Sequence, residues 1–263
     1  MLALSRTTIL QYLKEAPMQQ KTRAVLNFQV GVLVYDGTTK ALRHQEHMPK
    51  NLKYRNVTVS GLPTAGASTL GMALAKVLGW EYFSGGDFMR QYAINKGLFD
   101  SSTTAHHDAT IYSDKFDRQV DFGMRKTLKS KRGKILDSWI SSFMAQGIDG
   151  TLKILVLCSN DALRVDRIVN RDNLTVEEAK RHIFEREKKN VEKWSRMYAK
   201  QWKEWVVDTG LVDESKPTWF WYPELFDLTI DTYHNSKQET LKKALEKLGF
   251  KKTIDYQGIF AAQ

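Results

Sequence analysis

The sequence predicts an α/β protein: a parallel sheet with helices on both faces. Three observations carry that expectation. Short apolar runs at 57–59, 80–83, 134–137, 153–158 and 225–230 alternate with helix-patterned stretches, as strands and crossovers of a parallel sheet do. Residues able to do chemistry sit just past those runs, at the carboxyl ends of the strands, where such sheets bind ligands. The first run leads into Ser60-Gly-Leu-Pro-Thr-Ala-Gly-Ala-Ser-Thr-Leu70, which has the frame of a phosphate-binding loop.

Taken in order, residues 1–53 read as an N-terminal appendage. It holds a helix-like stretch at 8–14, a strand-like stretch at 25–35 meeting the turn signal Asp36-Gly37, and a polar basic segment from His47 to Lys53. From 54 to 249 the alternation is regular. A helix over 68–78 ends at Gly79, a second follows the fourth strand over 161–170, and a third over 236–248 is closed by Gly249. Between the fourth and fifth strands a long charged helix is expected from Val176 to about Trp205. It opens on a capping box, Thr175 with Glu178 three residues on. Ile183, Glu187, Val191, Trp194, Tyr198, Trp202 and Trp205 give it one mostly apolar stripe, and basic residues occupy the rest of its surface. The segment from Pro217 to Pro223 reads as a packed aromatic loop or a protein contact, and residues 250–263 as a C-terminal tail.

Composition narrows the class. The 263 residues are 42% hydrophobic, enough for a sizeable core, and the net charge of +10 points to anionic partners such as nucleotides, RNA or a membrane surface. The single cysteine, Cys158, cannot form an internal disulfide and fits a reducing compartment. No apolar run is long enough to span a bilayer, so no membrane partnership is expected. The expected location is cytoplasmic. An organelle matrix stays open as the alternative, because Arg6, Lys14, Lys21 and Arg23 face only Glu15 in the opening residues.

The loop departs from G-x-x-x-x-G-K-[ST] at one place, Ala67, where lysine belongs. Main-chain N–H groups and a helix N-terminus still form an anion site there, and Ser68, with Thr69 beside it, offers a hydroxyl to Mg²⁺. What the loop lacks is a mobile cation. In Ser84-Gly-Gly-Asp-Phe-Met-Arg90, two glycines allow close backbone approach and Arg90 can grip a phosphate. Asp137 ends an apolar strand, where a carboxylate can hold a metal through water. Arg164, Arg167 and Arg171 recur at helical spacing, with Asp161, Asp166 and Asp172 available to bridge them. His106 and His107 are adjacent and have no ligand-spaced partners, so they read as solvated residues.

In this order, SGLPTAGAST, GWEYFSGGDFMR, Asp117-Arg118 with Asp121, ILDS, and RVDRIVNRDN running into AKRHIFEREKKN resemble the cytidylate kinases of the archaeal-type branch within the nucleoside monophosphate kinases. The resemblance spans about residues 54–249. It implies a phosphate-loop fold with a five-stranded parallel sheet, a monophosphate-binding insert between strands two and three, and a helical lid. It further implies ATP as phosphoryl donor with Mg²⁺, and a nucleoside monophosphate, CMP or dCMP, as acceptor.

By the same resemblance, Gly61, Thr64, Ala65, Gly66, Ala67, Ser68 and Thr69 would cradle the donor phosphates, and Ser68 and Asp137 would hold the metal. Gly86, Asp87, Arg90, Asp117, Arg118 and Asp121 would bind the monophosphate. Arg167, Arg171 and Arg186 would clamp the transferring group, with Asp137 among the catalytic residues. Members of that branch commonly carry a small or hydroxyl residue in place of the loop lysine. Here Trp139 follows Ser138 where the family often has arginine. A second reading therefore stands beside the first: a catalytically degenerate phosphate-loop protein that binds nucleotide, RNA or a ribonucleoprotein.

Overall fold

Five parallel strands form one sheet in the order β2-β3-β1-β4-β5: β1 Asn56–Gly61, β2 Glu81–Ser84, β3 Lys134–Asp137, β4 Thr151–Leu157 and β5 Leu228–Asp231. The structure, a computed structural model, describes residues 52–98 and 109–260. The appendage up to residue 51, the pair His106-His107 and residues 261–263 lie outside the described residues. After β1 the chain leaves for β2 and returns to β3, then crosses β1 to reach β4. The carboxyl end of the central strand is thus the point where connections diverge and a crevice opens.

The helices cover the sheet as the sequence pattern requires. Helix α1, Ala67–Leu78, buries Leu70, Ala73, Leu74 and Leu78 at spacings of three and four against β1 and β3, and Gly79 ends it in the left-handed region. Helix α2, Gly85–Asn95, is capped by Ser84, and α3, Asp114–Ser130, by Ser113. A short helix absent from the sequence reading, α4, Ser141–Met144, follows β3. Its serines are fully buried: the Ser142 and Thr58 hydroxyls bond each other at 3.0 Å, and Ser141 and Ser60 at 3.1 Å. Small polar residues here let the helix sit directly on β1.

Helix α5, Asp161–Asp172, follows β4 and runs two residues longer than expected, ending at Asn173 in the left-handed region. The long helix expected from Val176 to Trp205 is interrupted. It comprises α6, Val176–Lys180, a π-turn at Arg181–Glu185, α7, Arg186–Met197, α8, Ala199–Trp202, and a second π-turn at Lys203–Val207. A π-turn adds a residue to a helical turn and shifts the facing of everything after it. Ile183 accordingly packs with Val165, Ile168 and Ala179, whereas Trp194, Tyr198 and Trp202 enter a separate aromatic cluster with Phe143, Phe220 and Trp221. One stripe thus serves two cores.

The expected fifth strand from Leu225 begins only at Leu228, because Pro223–Leu225 is a 3-10 turn whose Leu225 carbonyl accepts a bond from the buried Gln146. The aromatic loop is packed: Phe220 and Trp221 are buried, and Trp221 Nε1 donates to the Trp139 carbonyl at 2.9 Å. After α9, Lys237–Leu248, the chain turns back, and α10, Tyr256–Phe260, lies on α1. No helix among the described residues is long and apolar enough to cross a membrane.

The insert is fixed to α7 by a buried ion pair. Lys193 Nζ donates to Asp117 Oδ2 at 2.6 Å and to the carbonyls of Ala109 and Tyr112, both at 2.7 Å, while Asn190 Oδ1 accepts the Ala109 N–H. All three ammonium donors are used, which is what makes so deep a charge tolerable. Lys193→Ala, which strands Asp117, should destabilise the protein by about 3–5 kcal/mol, whereas Lys193→Met combined with Asp117→Leu should recover most of that loss. Urea midpoints of the three proteins check both statements.

Candidate functional site

The carboxyl end of β1 opens into a cavity of about 680 Å³. Its floor is the loop from Gly61 to Thr69. Gly61 is required by contact, since a β-carbon there would lie 2.4 Å from the Val156 carbonyl of the neighbouring strand. Gly66 is required by conformation, with φ 101° as it opens α1. Thr64 also takes a positive φ, 62°, which a threonine adopts only when held. Its hydroxyl donates to the Arg164 carbonyl at 3.0 Å, and its own carbonyl accepts from Arg167 at 2.9 Å.

The arginines of α5 divide their tasks. Arg164 is buried, paired with Asp161 at 2.9 Å and with Glu187 of α7 at 3.2 Å, and it holds the lid helices to the loop from outside the cavity. Arg167 lines the cavity and donates to the Thr232 hydroxyl at 3.0 Å as well as to Thr64. Arg171, half exposed and paired with Asp172, also lines the cavity. Arg186 enters from α7 with its guanidinium 4.8 Å above the Trp139 ring. Arg90 lines the cavity from α2.

Asp137 lies level with Val59 of β1 and Ser84 of β2 and is buried at the inner wall. Tyr82 donates to its Oδ2 at 2.7 Å, and the Ser68 hydroxyl bonds the same carboxylate. Burial pushes Asp137 up to about 6, with Asp87 adding to the rise, while the two hydroxyl donors pull it back. A buried carboxylate with a raised pKa beside a hydroxyl is a hard-oxygen donor set short of positive charge. It fits Mg²⁺, which takes one or two protein oxygens and completes its sphere with water and substrate phosphate.

On the insert side, Asp117 and Asp121 lie one helical turn apart on α3 and both line the cavity. Asp121 Oδ2 accepts from the fully buried Tyr198 hydroxyl, and burial raises this acid to about 7, the Tyr198 bond lowering it and Asp117 raising it. Burial also raises Asp117 against the pull of Lys193. The second oxygen of Asp117, Oδ1, is buried with no hydrogen-bond partner among the described residues.

Of the residues picked from the sequence, the cavity lining gathers Gly61, Thr64, Ala65, Gly66, Ala67, Ser68, Thr69, Gly86, Asp87, Arg90, Asp117, Asp121, Asp137, Arg167, Arg171 and Arg186. Arg118 stays outside: it donates to the Met197 carbonyl at 2.8 Å and stacks over Phe122 and Tyr198, bracing α3 against the lid helices. Gly85, rather than Gly86, is the glycine that contact demands, because its β-carbon would lie 2.8 Å from that of Ser138. Sequence reasoning missed Tyr82, Lys193 and Thr232. Thr232 donates to the Ala65 carbonyl at 2.8 Å, tying the end of β5 to the loop, and its one signal was its place just after the fifth strand.

The sequence matches the model of the cytidylate kinase-like family over residues 56–234. It is 31% identical over 170 residues to a cytidylate kinase of Haloarcula marismortui, covering 64% of this chain and 83% of that one. It is 28% identical over 204 residues to a cytidylate kinase of Methanopyrus kandleri, covering 73% and 93%. Among solved structures, an uncharacterized protein from Eubacterium ventriosum aligns with a TM-score of 0.51 at 10% identity, over 75% of this chain and 99% of that one, a likeness of fold.

The raised acids tie stability to pH. Asp121 in an unfolded chain ionises near 3.8 and in the folded protein near 7, so between those values the native state binds the extra proton and stability falls as pH rises. Asp121→Asn removes that dependence. Its melting temperature should vary less than wild type between about pH 4 and 7, a difference that thermal scans at constant ionic strength would register.

Proposed function

The chain belongs to the cytidylate kinase-like family, and from that premise we propose that it transfers the γ-phosphoryl group of ATP to CMP or dCMP, giving the diphosphate. The observation that carries this reading is a single cavity joining a phosphate loop and a buried aspartate to arginines from three helices, Arg90 on α2, Arg167 and Arg171 on α5, and Arg186 on α7. Phosphoryl transfer needs positioning and charge neutralisation more than a strong base. An acceptor phosphate oxygen, already deprotonated, attacks the γ-phosphorus as the bond to the β–γ bridging oxygen breaks, and ADP leaves with the electron pair.

The amides of the loop bind the donor phosphates, with Ala67 contributing its N–H as lysine would. Charge that the missing lysine would bring comes from guanidinium groups, which carry the same charge and a fork suited to phosphate oxygens. Ser68 and Asp137 are the residues that would hold Mg²⁺, which when bound neutralises the donor phosphates. Trp139 cannot neutralise anything, but its ring carries Arg186, so the charge that the family often places after β3 enters from α7 instead. Arg90 is suited to the acceptor phosphate.

Base preference is supported by the two carboxylates of α3. Cytosine presents an exocyclic amino donor at the position where uracil presents a carbonyl. The unpartnered Asp117 Oδ1 accepts from the first and repels the second. Incubation of the purified chain with Mg·ATP and, in turn, CMP, dCMP, UMP and AMP should give diphosphate fastest from a cytidine nucleotide. No diphosphate from any of the four, with salt-dependent RNA association in its place, would turn the reading to a binding module. Arg171→Ala should lower kcat about a hundredfold with the KM for ATP changed only a few-fold. Equal losses in both would remove Arg171 from the clamp.

A further inference from the structure

The cavity extends past the family match, which ends at residue 234, to Thr240 of α9 and Phe260 of α10. The insert with Arg90 follows β2 at one edge of the sheet, whereas α9 follows β5 at the other edge and packs on α1, where α10 also lies. A donor whose phosphates lie on the β1 loop must direct its base away from the acceptor, toward this second end. Thr240 lines the cavity, and its buried hydroxyl has no hydrogen-bond partner among the described residues. Phe260 supplies an aromatic ring beside otherwise polar lining from Thr232, Asn235, Ser236 and Lys237. The tail is anchored in place: Lys76 Nζ on α1 donates to the carbonyls of Gly258 and Ile259 at 2.9 and 3.2 Å, and Ile259 and Phe260 pack against the main core.

We infer that the C-terminal helix completes the donor site, with Phe260 packing on the purine ring of ATP and the Thr240 hydroxyl bonding its edge. The inference rests on the kinase reading for the identity of the donor. A hydroxyl can donate or accept, so the contact holds a purine without demanding one edge pattern.

Calorimetric titration of the full chain with Mg·ATP and, separately, with Mg·tripolyphosphate, which has no base, tests this without any turnover. Phe260→Ala should weaken ATP about tenfold and leave tripolyphosphate unchanged, and Thr240→Val should weaken ATP about threefold with tripolyphosphate again unchanged. Equal weakening of both ligands by Phe260→Ala would mean that the tail merely props α1, and unchanged ATP affinity would mean that the ring touches nothing; either overturns the inference. Wild-type protein that binds neither ligand would overturn the kinase reading itself, and this site with it.

Discussion

Arg167 reaches from α5 to the carbonyl of Thr64 and to Thr232 at the end of β5, and so joins helix, loop and strand end through one side chain. Thr64 stands in the left-handed region, a conformation that costs a non-glycine residue of order 1 kcal/mol and persists only under restraint. The restraint is double, since the Arg164 carbonyl accepts from the Thr64 hydroxyl while Arg167 donates to the Thr64 carbonyl. A loop that has lost its lysine is therefore still shaped by cations, acting on its outer turn through the main chain. The same side chain that could neutralise a phosphate fixes the amides that would bind it, so charge and shape are coupled in this loop.

The opposite wall is shaped by aromatic packing. Trp139, Trp194 and Trp221 contact one another at 5.6–6.5 Å between centroids, Phe143 and Phe220 stack edge to face at 4.9 Å, and Tyr198 sits fully buried beneath them. Such pairs add roughly 0.5–1.5 kcal/mol each beyond the area they bury. The block carries Arg186 on the Trp139 face and supports the Tyr198 hydroxyl that holds Asp121. The lid is consequently anchored at its C-terminal half, through α7 and α8. Its N-terminal half, α5 and α6, packs in a cluster of its own with Ile183, and the π-turn at Arg181–Glu185 lies where the two halves join.

The parallel sheet and the loop were legible because each depends on local pattern: apolar runs of strand length, glycine at positions of forced φ or close contact, and a cap at Thr175 that forms. The residues of the site that end strands or belong to the loop were legible for the same reason. What could not be read were long-range consequences of burial. Nothing local distinguishes Lys193, buried against Asp117, from Lys189 or Lys200 on the same run, since its burial depends on where α3 docks. Arg118 beside Asp117 invited a ligand role, yet neighbours on a helix point about 100° apart, so one enters the cavity while the other braces its outside. The π-turns were equally hidden, because a periodic stripe looks unbroken when its two halves face different cores.

The two ends of the cavity are built on different physical terms, and the kinase reading accounts for the difference. On the β2–β3 side the protein buries Lys193, Asp117 and Asp121 and leaves one carboxylate oxygen without a partner. Burying charge this way contributes little to stability and often costs it. It does create discrimination, because a site that must accept a hydrogen bond penalises any ligand unable to give one far more than an apolar pocket penalises a change of size. Choosing among monophosphates of nearly equal shape is a task of that kind. In the proposed donor site, the β5 side would hold a nucleotide whose phosphates the loop already grips, and an aromatic face with a hydroxyl that can donate or accept would suffice for it. On the kinase reading, polar frustration is concentrated where the acceptor would be chosen, and the packing is permissive where the donor would only be held.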